Sequence, residues 1–119
     1  MSTAYNNRLS FENLNSIHCI VSLYDEQGEV ADRYIEFPEQ LMFRLSCIGK
    51  AYDLHVTSLI SIHDDLLLNS TQCEGLIEEL AFIEYITNDT LLHKYTARIQ
   101  ELAYTCLGNR KLKLYFGGN

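Results

Sequence analysis

The sequence has little proline and no low-complexity tract. One proline and six glycines are spread over 119 residues, so no stretch has the composition of a linker or a long disordered tail. No apolar run reaches the roughly 18–20 residues that a membrane-spanning helix requires. The start, residues 1–8, lacks the charged-then-apolar layout of a secretion signal. With 47% hydrophobic residues, the chain is predicted to form one cytoplasmic domain over residues 1–119.

Motifs that carry catalysis are also missing. The glycines stand too far apart to form a phosphate-binding loop. His18 and Cys19 point to opposite faces of a strand, so they do not form a nucleophile and base pair. A metal-dependent enzyme using His55, His63 and Asp64 is an alternative, but no spacing indicates the remaining ligands. The sequence therefore predicts a protein that is not an enzyme, with no catalytic residues, metal or cofactor.

The four cysteines, Cys19, Cys47, Cys73 and Cys106, are far apart in the sequence. No two are as close as zinc sites and redox motifs require. Each falls in or beside an apolar periodic segment, which favours four buried, reduced thiols that pack as small hydrophobic groups. Two disulfides are the alternative.

The net charge of −7 is unevenly distributed along the chain. Residues 1–93 carry 15 acidic and four basic side chains, whereas residues 94–119 carry one acidic and five basic. Nucleic acids and anionic membranes bind cationic surfaces, so neither is expected to be the main partner. An acidic surface of this kind favours a basic protein as the partner.

The stretch 71–108 is predicted to form two consecutive amphipathic helices. Thr71 and Glu74 have the spacing of a capping box, which predicts the start of the first helix. Asn88 or Asp89 is expected to cap the second helix, and Gly108 is placed for a left-handed C-terminal cap. The core face of the first helix is predicted from apolar residues at three- and four-residue steps, namely Cys73, Leu76, Ile77, Leu80 and Ile83, with Tyr85 or Ile86 as an alternative further member.

One aromatic side chain, Phe82, lies among the carboxylates of the first of these helices. It follows Glu78 by four residues and Glu79 by three, so both lie within reach of its ring. One interpretation is that a wide apolar stripe or a neighbouring loop covers Phe82. The other is that Phe82 is an exposed anchor for a partner, with a charged rim that steers association.

The rest of the chain is predicted to supply strands and one more helix. Segments 17–24 and 30–37 alternate as a hairpin around a turn at 25–28, and Pro38 opens a helix that ends near Tyr52. Residues 54–62 are interpreted as a third strand, with a turn and another short strand over 60–68 as an alternative. Residues 111–116 alternate strictly as a final strand. Phe11 and Leu14 are expected to pack onto the domain.

The predicted order of elements is ββαβααβ. It corresponds to an α+β fold, a mainly antiparallel sheet with three helices on one face. The acidic helix with Glu74, Glu78 and Glu79, together with the closing segment 111–119 (Lys-Leu-Lys-Leu-Tyr-Phe-Gly-Gly-Asn), resembles the immunity proteins of bacterial polymorphic and contact-dependent toxin systems. The likeness covers the chain in outline, and no family residue is carried over to a position here.

The resemblance implies a protein that binds a cognate toxin domain, often a basic nuclease, and blocks it. Under this hypothesis the carboxylates pair with basic toxin residues and aromatic side chains slow dissociation. The alternative is a small self-associating adaptor or structural subunit, a homodimer formed through the same helix or through the final strand. The predicted partner-binding residues are Asp64, Asp65, Glu74, Glu78, Glu79, Phe82 and Tyr85.

Overall fold

The computed structural model describes residues 17–117, except the side chains of Ala31 and Asp32. The predictions for Phe11 and Leu14 lie outside this range. Within it the order is ββαβααβ, which confirms the predicted α+β class. A short 3-10 turn, Thr57–Leu59, follows the first helix. The elements are β1 His18–Asp25, β2 Gly28–Pro38, α1 Glu39–Ala51, β3 Leu66–Leu68, α2 Ser70–Ile86, α3 Thr90–Leu107 and β4 Lys113–Gly117.

The hairpin of β1 and β2 is closed by a turn at Glu26 and Gln27. The Gln27 N–H donates to a side-chain oxygen of Asp25 at 2.8 Å. Gly28 adopts a φ of +116°, which residues with a Cβ rarely adopt. The turn predicted at 25–28 is therefore confirmed. The positive φ explains why a glycine occupies position 28.

The four described strands form an antiparallel sheet in the order β2-β1-β4-β3. The predicted final strand is β4, and it lies between β1 and β3. Its backbone groups therefore pair on both sides, so the final strand is not the exposed edge that the self-association hypothesis assumed. Within residues 17–117 the edge strands are β2 and β3.

One face of the sheet packs against the helices, and the other, here called the outward face, points away from them. Alternation along β1 and β4 places Val21, Leu23 and Leu114 in the core, together with the buried residues of α2 and α3. Tyr24 and Tyr115 lie on the outward face, and their ring centroids are 4.8 Å apart. Because successive side chains of a strand point to opposite faces, the position of a residue along the strand determines whether it can contact the helices.

The strand predicted over 54–62 is wrong, whereas the alternative, a turn and a short strand within 60–68, agrees with the structure. Residues 54–62 form turns and the 3-10 turn, and the strand is the short β3. Backbone groups in 54–62 bond locally: Ser58 donates to the carbonyl of Leu54 at 3.1 Å, and Ile60 to that of Thr57 at 3.1 Å. With these groups satisfied by turns, the segment has no need of a sheet partner.

α2 begins with a different capping box from the one that the sequence predicted. The capping box consists of Asn69 and Gln72, each backbone N–H donating to the other side chain at 2.9 Å. The predicted box of Thr71 and Glu74 is therefore wrong, and Glu74 is an exposed side chain in the second turn.

The ends of α3 agree with the prediction in position. Asp89 caps the first turn by accepting from the Leu92 N–H at 3.0 Å, as the sequence predicted. Gly108 does occupy the C-cap, but its φ of −78° is helical, so the predicted left-handed conformation is wrong. Only the position of this glycine followed from the sequence.

None of the four cysteines forms a disulfide, and three of them are buried. Cys47 is exposed, because it lies on the solvent side of α1, so the prediction of four buried thiols is wrong at this position. Cys73 and Cys106 meet between α2 and α3. Their hydrogen bond, together with burial, raises the pKa of the Cys73 thiol.

We expect one thiol of the native protein to react rapidly with the disulfide reagent DTNB. Cys47 is exposed, whereas burial raises the pKa of Cys19 and lowers its fraction of reactive thiolate. Unfolding in denaturant should make the other three thiols accessible to DTNB. The Cys47→Ala variant is the control, and rapid reaction of more than one thiol in the native state would contradict the assignment.

Candidate protein-binding surface

The outer side of α2 carries a row of acidic and aromatic side chains. Glu74, Glu78 and Phe82 follow one another at four-residue steps, and Tyr85 follows three residues later, so the four lie along one helical stripe. Phe82 is 38% exposed and Tyr85 87% exposed. The sequence of α2 contains no basic residue. The stripe therefore combines apolar contact area with a negative charge that no lysine or arginine of the same helix neutralises.

A second aromatic residue, Tyr52, extends this stripe. Its ring meets that of Phe82 edge to face, with centroids 5.6 Å apart, and it is 54% exposed. The sequence analysis identified Tyr52 only as the approximate end of this helix and so missed its place on the surface. We call Tyr52, Glu74, Glu78, Phe82 and Tyr85 the acidic aromatic surface. Phe82 is thus partly covered, as one interpretation expected, but by a residue that is itself exposed.

A helix-terminating motif positions Tyr52 at the end of α1. The next residue, Asp53, has a φ of +56°, the one positive φ of a non-glycine residue in the described range. Its N–H donates to the Lys50 carbonyl at 3.3 Å, and the Leu54 N–H donates to the Gly49 carbonyl at 2.8 Å. This is the hydrogen-bond pattern of a Schellman motif. It ends α1 and directs the chain toward α2.

Glu79 connects the chain after this corner to α2. Its carboxylate accepts from the Val56 N–H at 3.1 Å, the Thr57 N–H at 2.7 Å and the Thr57 hydroxyl at 2.7 Å. Thr57 and Val56 are both buried, so water offers these donors little alternative to the carboxylate of Glu79. Glu79 is therefore a half-buried residue whose carboxylate is turned to this segment, and it does not belong to the outward stripe.

Asp64 and Asp65 precede β3 and are both exposed. Asp65 accepts a hydrogen bond from the hydroxyl of Tyr115, which, with burial, raises the pKa of Tyr115 to about 12. Because Tyr115 alternates with the core residues Leu114 and Phe116, it lies on the sheet face away from the helices. The structure therefore does not bring Asp65 together with Glu74, Glu78 and Phe82.

The other chemistry considered for the chain concerns metals and membranes. Among residues 17–117, no three or more histidine, cysteine, aspartate or glutamate side chains are grouped so as to hold a metal ion. None of the helices in this range is both long enough and apolar enough to span a bilayer.

Sequence reasoning found four of the five members of the acidic aromatic surface. Tyr52 was missed because a left-handed backbone conformation at the next residue ends the helix and sets the position of Tyr52. Glycine is usual at such a position, and this chain has Asp53 there.

Comparison with known proteins finds no matching family model, no matching curated protein and no matching solved structure.

Proposed function

We propose that this protein binds and neutralises a cognate, basic toxin domain through the acidic aromatic surface. The proposal rests on the contact between the exposed rings of Tyr52 and Phe82. Phe82 lies one turn after Glu78 on α2, a helix that contains no basic residue. Aromatic side chains dominate the binding energy of protein interfaces, and a charged rim accelerates encounter with a partner of opposite sign. The protein acts by occupying a surface that the toxin needs.

The toxin-neutralising role is supported by the resemblance in type to immunity proteins and by the acidic body of the chain. Free cysteines are compatible with the reducing cytoplasm, the compartment we propose. Partner binding requires no catalytic group in this protein. The specificity of binding arises from shape and charge alone.

A homodimer through the same surface is the second candidate. Two-fold symmetry would bring the carboxylates of Glu74 and Glu78 near those of the second copy, and like charges at an interface destabilise it. No lysine or arginine of α2 offsets them. The charge of the surface therefore favours a basic partner over a second copy.

Co-purification tests the proposal directly. The protein, tagged at Met1, is recovered from its native cells with washes of increasing salt. We expect a basic protein near one-to-one stoichiometry, which is lost in a Glu74→Lys, Glu78→Lys variant because charge reversal repels it. Recovery of the tagged protein alone, or of a partner whose binding is unaffected by both charge reversals, would contradict the proposal.

We expect Phe82→Ala to weaken the complex by roughly 2 kcal/mol, about a 30-fold rise in Kd, because Phe82 acts as a hot spot. The affinity is measured by calorimetry with the co-purified partner. Tyr104→Ala is the matched control, since Tyr104 is an aromatic of α3 with 60% exposure outside the stripe. Circular dichroism shows whether both variants are folded. An unchanged affinity in folded Phe82→Ala would remove Phe82 from the interface.

A further inference from the structure

Phe82 has one covered flank and one open flank on the outer side of α2. The covered flank faces the chain after α1, where the ring of Tyr52 packs edge to face at a centroid distance of 5.6 Å. Glu79, three residues before Phe82, is turned to the same segment and accepts from the Thr57 N–H at 2.7 Å. Phe82 remains 38% exposed, so the flank away from this segment is open to a partner.

Glu78 and Tyr85 border the open flank. Glu78 precedes Phe82 by four residues and Tyr85 follows it by three, and both intervals make side chains neighbours on a helix. With 3.6 residues per turn, Phe82, Glu78 and Tyr85 lie about 60°, 100° and 120° around the helix from Glu79, in the same direction. Phe82 therefore stands between the segment after α1 and the pair of Glu78 and Tyr85.

The carboxylates on this side of α2 are not neutralised by the described part of the chain. Within residues 17–117, the side chains of Glu74 and Glu78 form no ion pair and no hydrogen bond. Glu74 lies one turn before Glu78, about 6 Å along the helix axis. The open flank therefore offers aromatic rings directly beside a negative charge that is free to pair.

Of the two basic side chains of proteins with a permanent charge, that of arginine fits this flank better. A guanidinium is planar, so it can lie against an aromatic ring while it donates two parallel N–H bonds to a carboxylate. The lysine ammonium is a strongly hydrated point charge, which gains the attraction to the carboxylate but less from the ring. Arginine is also enriched among the residues that dominate binding energy in interfaces.

We propose that the open flank of Phe82, bordered by Glu78 and Tyr85, binds an arginine side chain of the partner protein. The guanidinium stacks on the ring of Phe82 and pairs with the carboxylate of Glu78, and the ring of Tyr85 shields this pair from water. Glu74 attracts a second cation one turn away. The proposal rests on the proposed function for the identity of the partner, and it adds the residue type that the surface recognises.

The probes are two acetylated and amidated peptides of equal charge, Ala-Arg-Ala-Ala-Ala-Arg-Ala and Ala-Lys-Ala-Ala-Ala-Lys-Ala, each added to the full chain. NMR follows the ring protons of Phe82 and Tyr85 at low salt, where charge attraction is least screened. We expect both rings to shift, with a Kd roughly threefold lower for the arginine peptide, because stacking on an exposed ring adds to the ion pair.

Two variants separate stacking from charge. Phe82→Leu keeps an apolar side chain against Tyr52, and should remove the arginine preference while the Kd of the lysine peptide stays nearly unchanged. Glu78→Gln should raise the Kd of both peptides roughly threefold, because it removes the paired charge. Glu78 is exposed, so this second variant keeps the test valid even where Phe82→Leu fails to fold. Glu84→Gln is the matched control, since Glu84 is an exposed carboxylate of α2 outside the open flank, and it should change neither Kd.

The outcomes distinguish this proposal from the toxin-neutralising role. Equal Kd values for the two peptides, an arginine preference that survives in folded Phe82→Leu, or no shift of the two rings at millimolar peptide would overturn the arginine site. A basic partner that is lost on charge reversal of Glu74 and Glu78 would uphold the toxin-neutralising role even then. An arginine preference without any co-purified partner would uphold the site and contradict that role.

Discussion

Replacing Glu79 with alanine is expected to lower the free energy of unfolding by about 3 kcal/mol. The change removes the acceptor of the Val56 and Thr57 N–H groups and leaves two buried donors unsatisfied. Hydrogen bonds to a charged group contribute roughly 1.5–3 kcal/mol, and an unsatisfied buried donor costs about 1–3 kcal/mol. Urea denaturation followed by circular dichroism measures the change, which corresponds to a fall in Tm of roughly 10 °C for a domain of this size.

Two variants control this prediction. Glu78→Ala changes the neighbouring carboxylate, which is exposed, and should alter stability by no more than about 0.5 kcal/mol. Glu79→Gln keeps one carbonyl acceptor and should lie between the alanine variant and the unaltered protein. Equal stability of the Glu78→Ala and Glu79→Ala variants would show that the carboxylate of Glu79 does not hold the segment after α1.

Replacing Gly49 with alanine is expected to destabilise the fold by about 3 kcal/mol, although alanine is the better helix former by about 1 kcal/mol. A Cβ at this position would lie 2.7 Å from the backbone nitrogen of Ser58 and 2.7 Å from the carbonyl carbon of Thr57. These are backbone atoms, so rotation of a side chain does not relieve the overlap. Chemical denaturation measures the difference.

Gly75→Ala is the matched control in α2. There a Cβ would meet only a methyl group of Val56, at 3.3 Å, and a small shift of that side chain relieves the contact. The higher helix propensity of alanine then offsets the overlap, so we expect a change of less than about 1 kcal/mol. A Gly49→Ala variant as stable as Gly75→Ala would contradict the close approach of α1 and the 3-10 turn.

Both predictions concern the same segment, and this segment connects stability to the proposed binding surface. Gly49 allows the 3-10 turn to approach α1, and Glu79 holds the turn to α2. Tyr52 lies at the start of this segment, against Phe82. Because both substitutions displace the segment, they should also move Tyr52 from the surface and weaken partner binding. A surface that joins two elements depends on the contacts beneath it.

Local signals in the sequence determined most of the elements. The alternation of β1, β2 and β4, the hairpin glycine Gly28 and the N-cap Asp89 each depend on residues within a few positions. The α+β class followed from these elements in order. The acidic stripe of Glu74, Glu78, Phe82 and Tyr85 was also predictable, since helical spacing alone aligns it.

Only the tertiary structure decided the features that depend on distant partners. Residues 54–62 have the composition of a strand, but Glu79 and local turns satisfy their backbone groups, so β3 forms later in the chain. The sheet order places β4 inside the sheet and turns Asp65 to the face away from α2. The sequence by itself determined most of the elements and the charge of the acidic helix. Which carboxylate holds the chain after α1 and which aromatic joins the surface were decided by packing, because each depends on residues far apart in the chain.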